Sequence, residues 1–217
     1  MTRRRGGRGG KRKAGKVLPM RNRKILAVDL CNTVAAVNAA IAAVLGLGAG
    51  WEWRTYDLRP AGVPDPDAWF RAHPEVFAEA APMEGAVEAL DAAVRCGWEV
   101  LYLTARPEWA RGLNLEWLRR HGFPPGRLVM TADKAGACLA LRASAAVEDS
   151  PDQIRSVSRV APVYVPAQPY NGSRLEWRDI AEALGLPGNG SCSSLGRNSH
   201  GRREGKNASV PGENHQL

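Results

Sequence analysis

The chain has 217 residues, 44% of them hydrophobic, with 30 Lys and Arg against 22 Asp and Glu and a formal net charge of +8. That length suits one globular unit with a sizeable core. No apolar run approaches the roughly 18 residues of a membrane span, which argues against a signal peptide or membrane anchor and for a cytoplasmic protein. The positive charge is local. Residues 1–24 hold 11 Lys and Arg and no acid, whereas residues 25–186 hold 15 basic and 20 acidic residues. The basic pI therefore does not argue for a nucleic-acid-binding fold.

Residues 1–23, Gly-rich and basic, read as a disordered arm able to hold nucleic acid weakly through counterion release. Residues 24–186 read as the folded domain. Residues 187–217, rich in Gly, Ser and Asn, read as a disordered tail. Cys31, Cys96, Cys138 and Cys192 make no CxxC pair and no zinc-ligand spacing, so reduced thiols fit best.

Within the domain, the apolar run Lys24–Asp29 predicts a strand, and the Ala-rich stretch Thr33–Leu47 predicts a helix ending at Gly46, Gly48 and Gly50. Residues 51–82 gather Trp51, Trp53, Tyr56, Trp69 and Phe70 among prolines, with short helices such as Pro66–Ala72. A regular alternation follows. Helix Met83–Arg95 leads to strand Glu99–Thr104, helix Pro107–His121 to strand Arg127–Thr131, and helix Ala132–Arg142 to strand Ser144–Glu148. Helix Pro151–Arg159, strand Val163–Pro166 and helix Trp177–Leu184 complete the series. Strands alternating with helices predict an α/β fold, a three-layer, doubly wound, Rossmann-like parallel sheet.

Apolar runs that stop at Asp29, Thr104 and Glu148–Asp149 deliver polar groups to the carboxyl ends of buried strands, where open α/β sheets bind ligands. With Lys134 they form a set suited to phosphoryl transfer. One carboxylate attacks phosphorus, while an ammonium and a divalent cation held by the other acids offset the phosphate's charge.

These residues resemble the four motifs of the haloacid dehalogenase-like (HAD) superfamily: Asp29 with Thr33, Thr104, Lys134, and Glu148 with Asp149, in order along the chain. LTARP, EDSPDQI and QPYN (Gln168 to Asn171), followed by Arg174, Trp177 and Ile180, resemble its 5′(3′)-deoxyribonucleotidase branch. The resemblance implies a small helical cap at about residues 34–82, inserted after the first strand, and a Mg²⁺-dependent phosphatase acting on a small phosphorylated substrate, most naturally a nucleotide. It implies Asp29 as nucleophile, with Thr104 and Lys134 holding the phosphate. Asp29, Asp149 and the main-chain carbonyl of Cys31 would be the Mg²⁺ ligands, with Glu148 behind them.

Arg106, Tyr170 and Asn171 are the candidate contacts to phosphate or substrate, with Tyr170 and Asn171 fitting equally a turn after the last strand, and Thr33 is expected to start the first helix, its hydroxyl capping the turn. The cap's aromatic residues either stack a base or form the cap's own core. Cys31 departs from the pattern, because the family has Asp there to protonate the leaving oxygen and then activate water. A thiol at that position fits slow acid–base turnover, a plain small buried residue, or a module that binds phosphate or nucleotide without hydrolysing it.

Overall fold

The computed structural model describes residues 23–48 and 51–187. Nearly all of the basic arm and of the tail therefore lies outside the described residues. Strand β1 (Lys24–Val28) is central to a five-stranded parallel sheet of order β3-β2-β1-β4-β5, with β2 Trp98–Thr104, β3 Arg127–Met130, β4 Ala145–Val147 and β5 Val163–Tyr164. All five predicted strands are present. Each is one or two residues shorter than its apolar run suggested, except β2, which gains Trp98.

The period of two along β1 sorts the core into two layers. Leu26 and Val28 face one side with Val100, Tyr102 and Val147, against helices α4 (Ala86–Arg95), α5 (Arg111–Arg120) and α8 (Trp177–Ala183). Ala27, Leu101, Leu103 and Ala146 face the other, against Cys138 of α6 (Lys134–Leu141) and Val157 of α7 (Pro151–Val157). Burying a side chain such as Leu26 completely contributes about 2 kcal/mol. Gly126, at the entry to β3, permits the closest approach: a Cβ there would lie 2.7 Å from the Val100 carbonyl oxygen and from the Tyr102 ring.

The register levels Val28 with Tyr102 and with Val147. Asp29 follows at once, its N–H bonded to the Val147 carbonyl (3.0 Å). Asp29, Thr104 and Glu148–Asp149 therefore emerge at one edge, where the chain order changes direction across β1.

Between β1 and β2 lies an insertion of short helices, α1 (Val37–Val44), α2 (Pro66–Ala72) and α3 (Glu75–Glu79), with a 3₁₀ turn at Arg59–Ala61. The first helix begins four residues later than expected. Residues 31–35 are instead committed to bridges between Cys31 and Ala35 and between Ala35 and Pro82, which pin the insertion's two ends together. The predicted helix Pro107–His121 opens with a 3₁₀ turn, Glu108–Ala110, before α5. Among the described residues, Cys31 and Cys138 are free thiols. No helix among the described residues is long and apolar enough to cross a membrane.

Arg142 closes α6 in the left-handed region (φ 55°), where a side chain costs about 1 kcal/mol and glycine costs little. Arg142→Gly is expected to raise stability by about 0.5–1 kcal/mol, a Tm rise of about 2–3 °C. Thermal unfolding followed by circular dichroism checks it; an unchanged or lower Tm contradicts the strain assigned to this cap.

Candidate active site

The loop after β1 turns sharply because Asn32 adopts the left-handed conformation (φ 53°), which Asn tolerates better than most residues. Its side chain fixes the turn, accepting from Asn38 N–H (2.8 Å) and donating to Asn38 Oδ1 (3.1 Å). The turn brings Thr33 back beneath β1. Its hydroxyl donates to Asp149 Oδ1 (3.0 Å) and lies 3.4 Å from Asp29 Oδ2. Thr33 thus does not start or cap the first helix, contrary to expectation; Ala36 precedes that helix without a side-chain cap. Thr33 is held from the far side by Trp177, whose indole N–H donates to its carbonyl (2.8 Å).

Lys134 is the first residue of α6, and Asp133 caps that helix by accepting from Gly136 N–H (2.8 Å). The cap fixes where the lysine stem starts. The Lys134 ammonium donates to Asp29 Oδ1 and Glu148 Oε2, both at 2.6 Å, with all three side chains at most 5% exposed. Burial opposes the Lys134 charge, but the Asp29 and Glu148 carboxylates outweigh it and hold the ammonium above its ordinary range. Glu148 also accepts from Ser150 N–H (3.1 Å). Asp149 is held at both oxygens, Oδ1 by Thr33 and Oδ2 by the Tyr170 hydroxyl (2.5 Å), and Asn171 donates to its carbonyl (3.1 Å).

Asp29, Glu148 and Asp149 place carboxylate oxygens within 4.8 Å of one another, all buried. Burial and then the neighbouring Asp29 charge push both Glu148 and Asp149 well above the ordinary carboxylate range. One ammonium does not balance three acids. An all-oxygen donor set carrying excess negative charge is what a hard divalent cation such as Mg²⁺ requires, so the residues fit that ion.

On the other side of Asp29, Thr104 ends β2 fully buried, its hydroxyl accepting from Arg106 N–H (3.2 Å). The Arg106 guanidinium lies over the Phe77 ring (4.3 Å to the centroid), donates from Nη1 to Asn114 Oδ1 (2.6 Å) and points Nε at Cys31 Sγ (3.1 Å). Its Nη2 has no hydrogen-bond partner among the described residues. Among the described residues no carboxylate pairs with this buried cation. Burial pushes the Cys31 thiol up, against the pull of Arg106, so the thiol is neutral near pH 7.

A cavity of about 280 Å³ opens above these groups. Asp29, Cys31, Thr104, Arg106 and Lys134 line its sheet side, and the insertion supplies a mostly apolar wall that includes Ile41, Tyr56, Leu58, Phe70 and Phe77. Phe70 stacks on Phe77 (4.6 Å) and packs on Trp69, so these rings are largely one another's core, while Trp51 and Trp53 pair away from the cavity. Tyr170 and Asn171 do not line the cavity. They reach Asp149 instead of the space a substrate would take. Asn32, Asn38 and Asn114 were not read from the sequence. Asn114 is fully buried on α5, which its residue type does not announce.

Residues 47–173 match the family described as "5' nucleotidase, deoxy (Pyrimidine), cytosolic type C protein". The chain belongs to this family, within the HAD superfamily of hydrolases, and is an enzyme of the phosphatase class. Among solved structures, a HAD-superfamily hydrolase, subfamily IA, variant 1, from Geobacter sulfurreducens PCA is 18% identical over 75% of this chain and 96% of its own, with a TM-score of 0.47. A HAD-superfamily hydrolase from Ehrlichia chaffeensis is 12% identical over 74% of this chain and 95% of its own, with a TM-score of 0.45. A HAD family hydrolase from Deinococcus radiodurans R1, solved with bound phosphate and sodium, is 17% identical over 76% of this chain and 89% of its own, with a TM-score of 0.43. No curated protein shows significant sequence similarity to the chain.

Because Glu148 and Asp149 are held above their unfolded values, the folded chain keeps protons that the unfolded chain has already lost. Stability of the metal-free protein should therefore fall as pH rises from about 5 through neutrality. Urea unfolding in the presence of a chelator measures this, and a stability that rises across that window would contradict the buried acid cluster. Lys134→Met should lower stability at neutral pH by about 3 kcal/mol, because it strands two buried carboxylates.

Proposed function

We propose that the chain is a Mg²⁺-dependent phosphomonoester hydrolase, and that its substrate is a nucleoside 5′-monophosphate of the pyrimidine deoxyribonucleotide class named in the family's description. The observation that carries this reading is the convergence of Asp29, Thr104 and Lys134 on the cavity, with Glu148 and Asp149 directly behind Asp29. Asp29, Asp149 and the Cys31 main-chain carbonyl would hold the cation, which supplies charge neutralisation at the phosphoryl oxygens.

The Asp29 carboxylate attacks phosphorus in line, and the P–O bond to the sugar breaks, the sugar oxygen leaving as a hydroxyl with a proton taken from solvent water. The Lys134 ammonium and the Thr104 hydroxyl stabilise charge on the equatorial oxygens, and water then hydrolyses the aspartyl-phosphate. Arg106 faces the leaving-group side, beside Cys31, and contacts the substrate there. The 34–82 segment acts as the cap whose apolar wall excludes water from the reacting atoms.

Cys31 bears on the rate. A neutral thiol bonded by Arg106 lacks the carboxylate that shuttles the proton, a function worth about 100- to 10,000-fold. This same contact favours the second reading, a phosphate- or nucleotide-binding module with little turnover.

Asp29→Asn is expected to abolish phosphatase activity on nucleoside monophosphates, and Cys31→Asp to raise kcat by about tenfold or more. A phosphomonoester panel assayed with and without Mg²⁺ tests both. Nucleotide and Mg²⁺ binding without turnover in either the parent or Cys31→Asp would favour the binding module. Calorimetry should show weaker Mg²⁺ binding by Asp149→Asn than by the parent, and equal affinity would remove Asp149 from the ligand set.

A further inference from the structure

The loop after β5 carries Gln168, Tyr170 and Asn171, and each reaches one of the two loops that hold the acid cluster. Gln168 Nε2 donates to the Asn32 carbonyl (2.8 Å), which braces the turn between Asp29 and Thr33. Asn171 Nδ2 donates to the carbonyls of Asp149 (3.1 Å) and Pro166 (2.9 Å). Asn171 Oδ1 accepts from Gln168 N–H (3.2 Å) and Ser173 N–H (3.0 Å), so the loop is tied to itself as well as to the strand ends.

Tyr170 makes the contact with most consequence. Its hydroxyl donates to Asp149 Oδ2 while Thr33 donates to Oδ1, so the carboxylate is fixed about its last torsion. A carboxylate oxygen has a further lone pair beyond the one each donor uses. Asp149 is therefore oriented by these two bonds without being used up by them. The Tyr170 ring is itself held edge-on by Tyr56 of the insertion, with centroids 5.7 Å apart at 73°. Tyr56 also lines the cavity. A single aromatic residue thus touches both the space a substrate occupies and the ring that orients Asp149.

We propose that Tyr170 is a positioning residue for the divalent-cation site, and that the Tyr56–Tyr170 pair couples filling of the cavity to cation affinity. The proposal rests on the reading of Asp149 as a Mg²⁺ ligand. It goes further by giving Tyr170 a function on the cation side and not on the substrate side. Partners that orient a metal ligand typically change metal affinity by about 10- to 100-fold when removed. If an occupant that steadies Tyr56 against Tyr170 tightens the cation, linkage requires the cation to tighten that occupant by the same factor.

Calorimetric titration of the full metal-free chain with Mg²⁺ tests the positioning step, using Tyr170→Phe, which keeps the ring and removes only the hydroxyl. The expected result is Mg²⁺ binding weakened by about tenfold or more, with activity restored by raised Mg²⁺. Mg²⁺ affinity unchanged within about twofold overturns the proposal, as does a variant whose nucleotide KM rises while Mg²⁺ affinity holds.

The coupling step is read by repeating the titration with and without a saturating pyrimidine deoxyribonucleoside, which fills the cavity but has no phosphate to touch the cation. The nucleoside should tighten Mg²⁺ in the parent, and Tyr56→Leu should lose most of that enhancement. An equal enhancement in Tyr56→Leu overturns the coupling. A parent that binds no Mg²⁺ would instead overturn the underlying assignment of the cation site. Should Tyr170→Phe unfold, Asn171→Ala, which frees the same loop from the Asp149 carbonyl, supplies the second reading of Mg²⁺ affinity.

Discussion

The Lys134 ammonium sits 2.6 Å from carboxylates on two different strand ends, Asp29 after β1 and Glu148 after β4, and all three side chains are almost completely buried. An isolated charge in such a place would cost several kcal/mol; a cation shared between two acids offsets much of that cost. The pair of bonds also has a geometric consequence. It ties α6 to the two central strands across the edge of the sheet, so the position of the α6 N-terminus and the spacing of the strand ends are set together. Asp133 caps the same helix one residue earlier, which keeps the lysine at the end that faces the acids.

Electroneutrality then shapes the rest of the site. Asp149 adds a third buried acid, and Thr33, Tyr170 and Asn171 meet it with neutral donors instead of a second basic residue. Excess negative charge is thereby retained next to Asp29. Arg106, the other buried cation of the cavity, is kept apart from this cluster, against Phe77, Asn114 and Cys31. The cavity therefore has an acidic floor on one side and a guanidinium on the other, beneath an apolar wall from the insertion. The charged end of a phosphate ester can meet the Lys134 ammonium at this floor and the Arg106 guanidinium opposite, and its organic part the apolar wall.

Much of the fold was legible because the sheet is parallel and covered on both faces. Each strand is then a short apolar run, and each run ends where a polar residue appears, as at Val28–Asp29 and Val147–Glu148. The boundaries of α1 and α5 were not legible. Residues 33–36 open the Ala-rich stretch read as a helix, but residues 31–35 spend their backbone groups on bridges to distant Pro82 and to one another. Local propensity carries no information about such a partner. The candidate site divides in the same way. Asp29, Thr104, Lys134 and Glu148–Asp149 announced themselves by ending apolar runs or by their order along the chain. Asn32, Asn38 and Asn114 did not, because an Asn in a turn or helix looks alike whether it faces solvent or braces a buried group.

The sequence by itself determined the alternation of strands and helices, the identity of the strand-end acids, and the departure at Cys31, since these depend on residue type and local order. Only the tertiary structure decided which groups meet. It turned Thr33 from an expected helix cap into a donor to Asp149, and it moved Tyr170 and Asn171 from the expected substrate contacts to the support of that same carboxylate. It also left Arg106 buried beside a thiol, with no acidic partner among the described residues. The physical reason is that the strand-end acids brought together by parallel pairing lie up to 116 positions from the groups they meet, so the distances and burial that fix their charges and hydrogen bonds exist only once the sheet has formed.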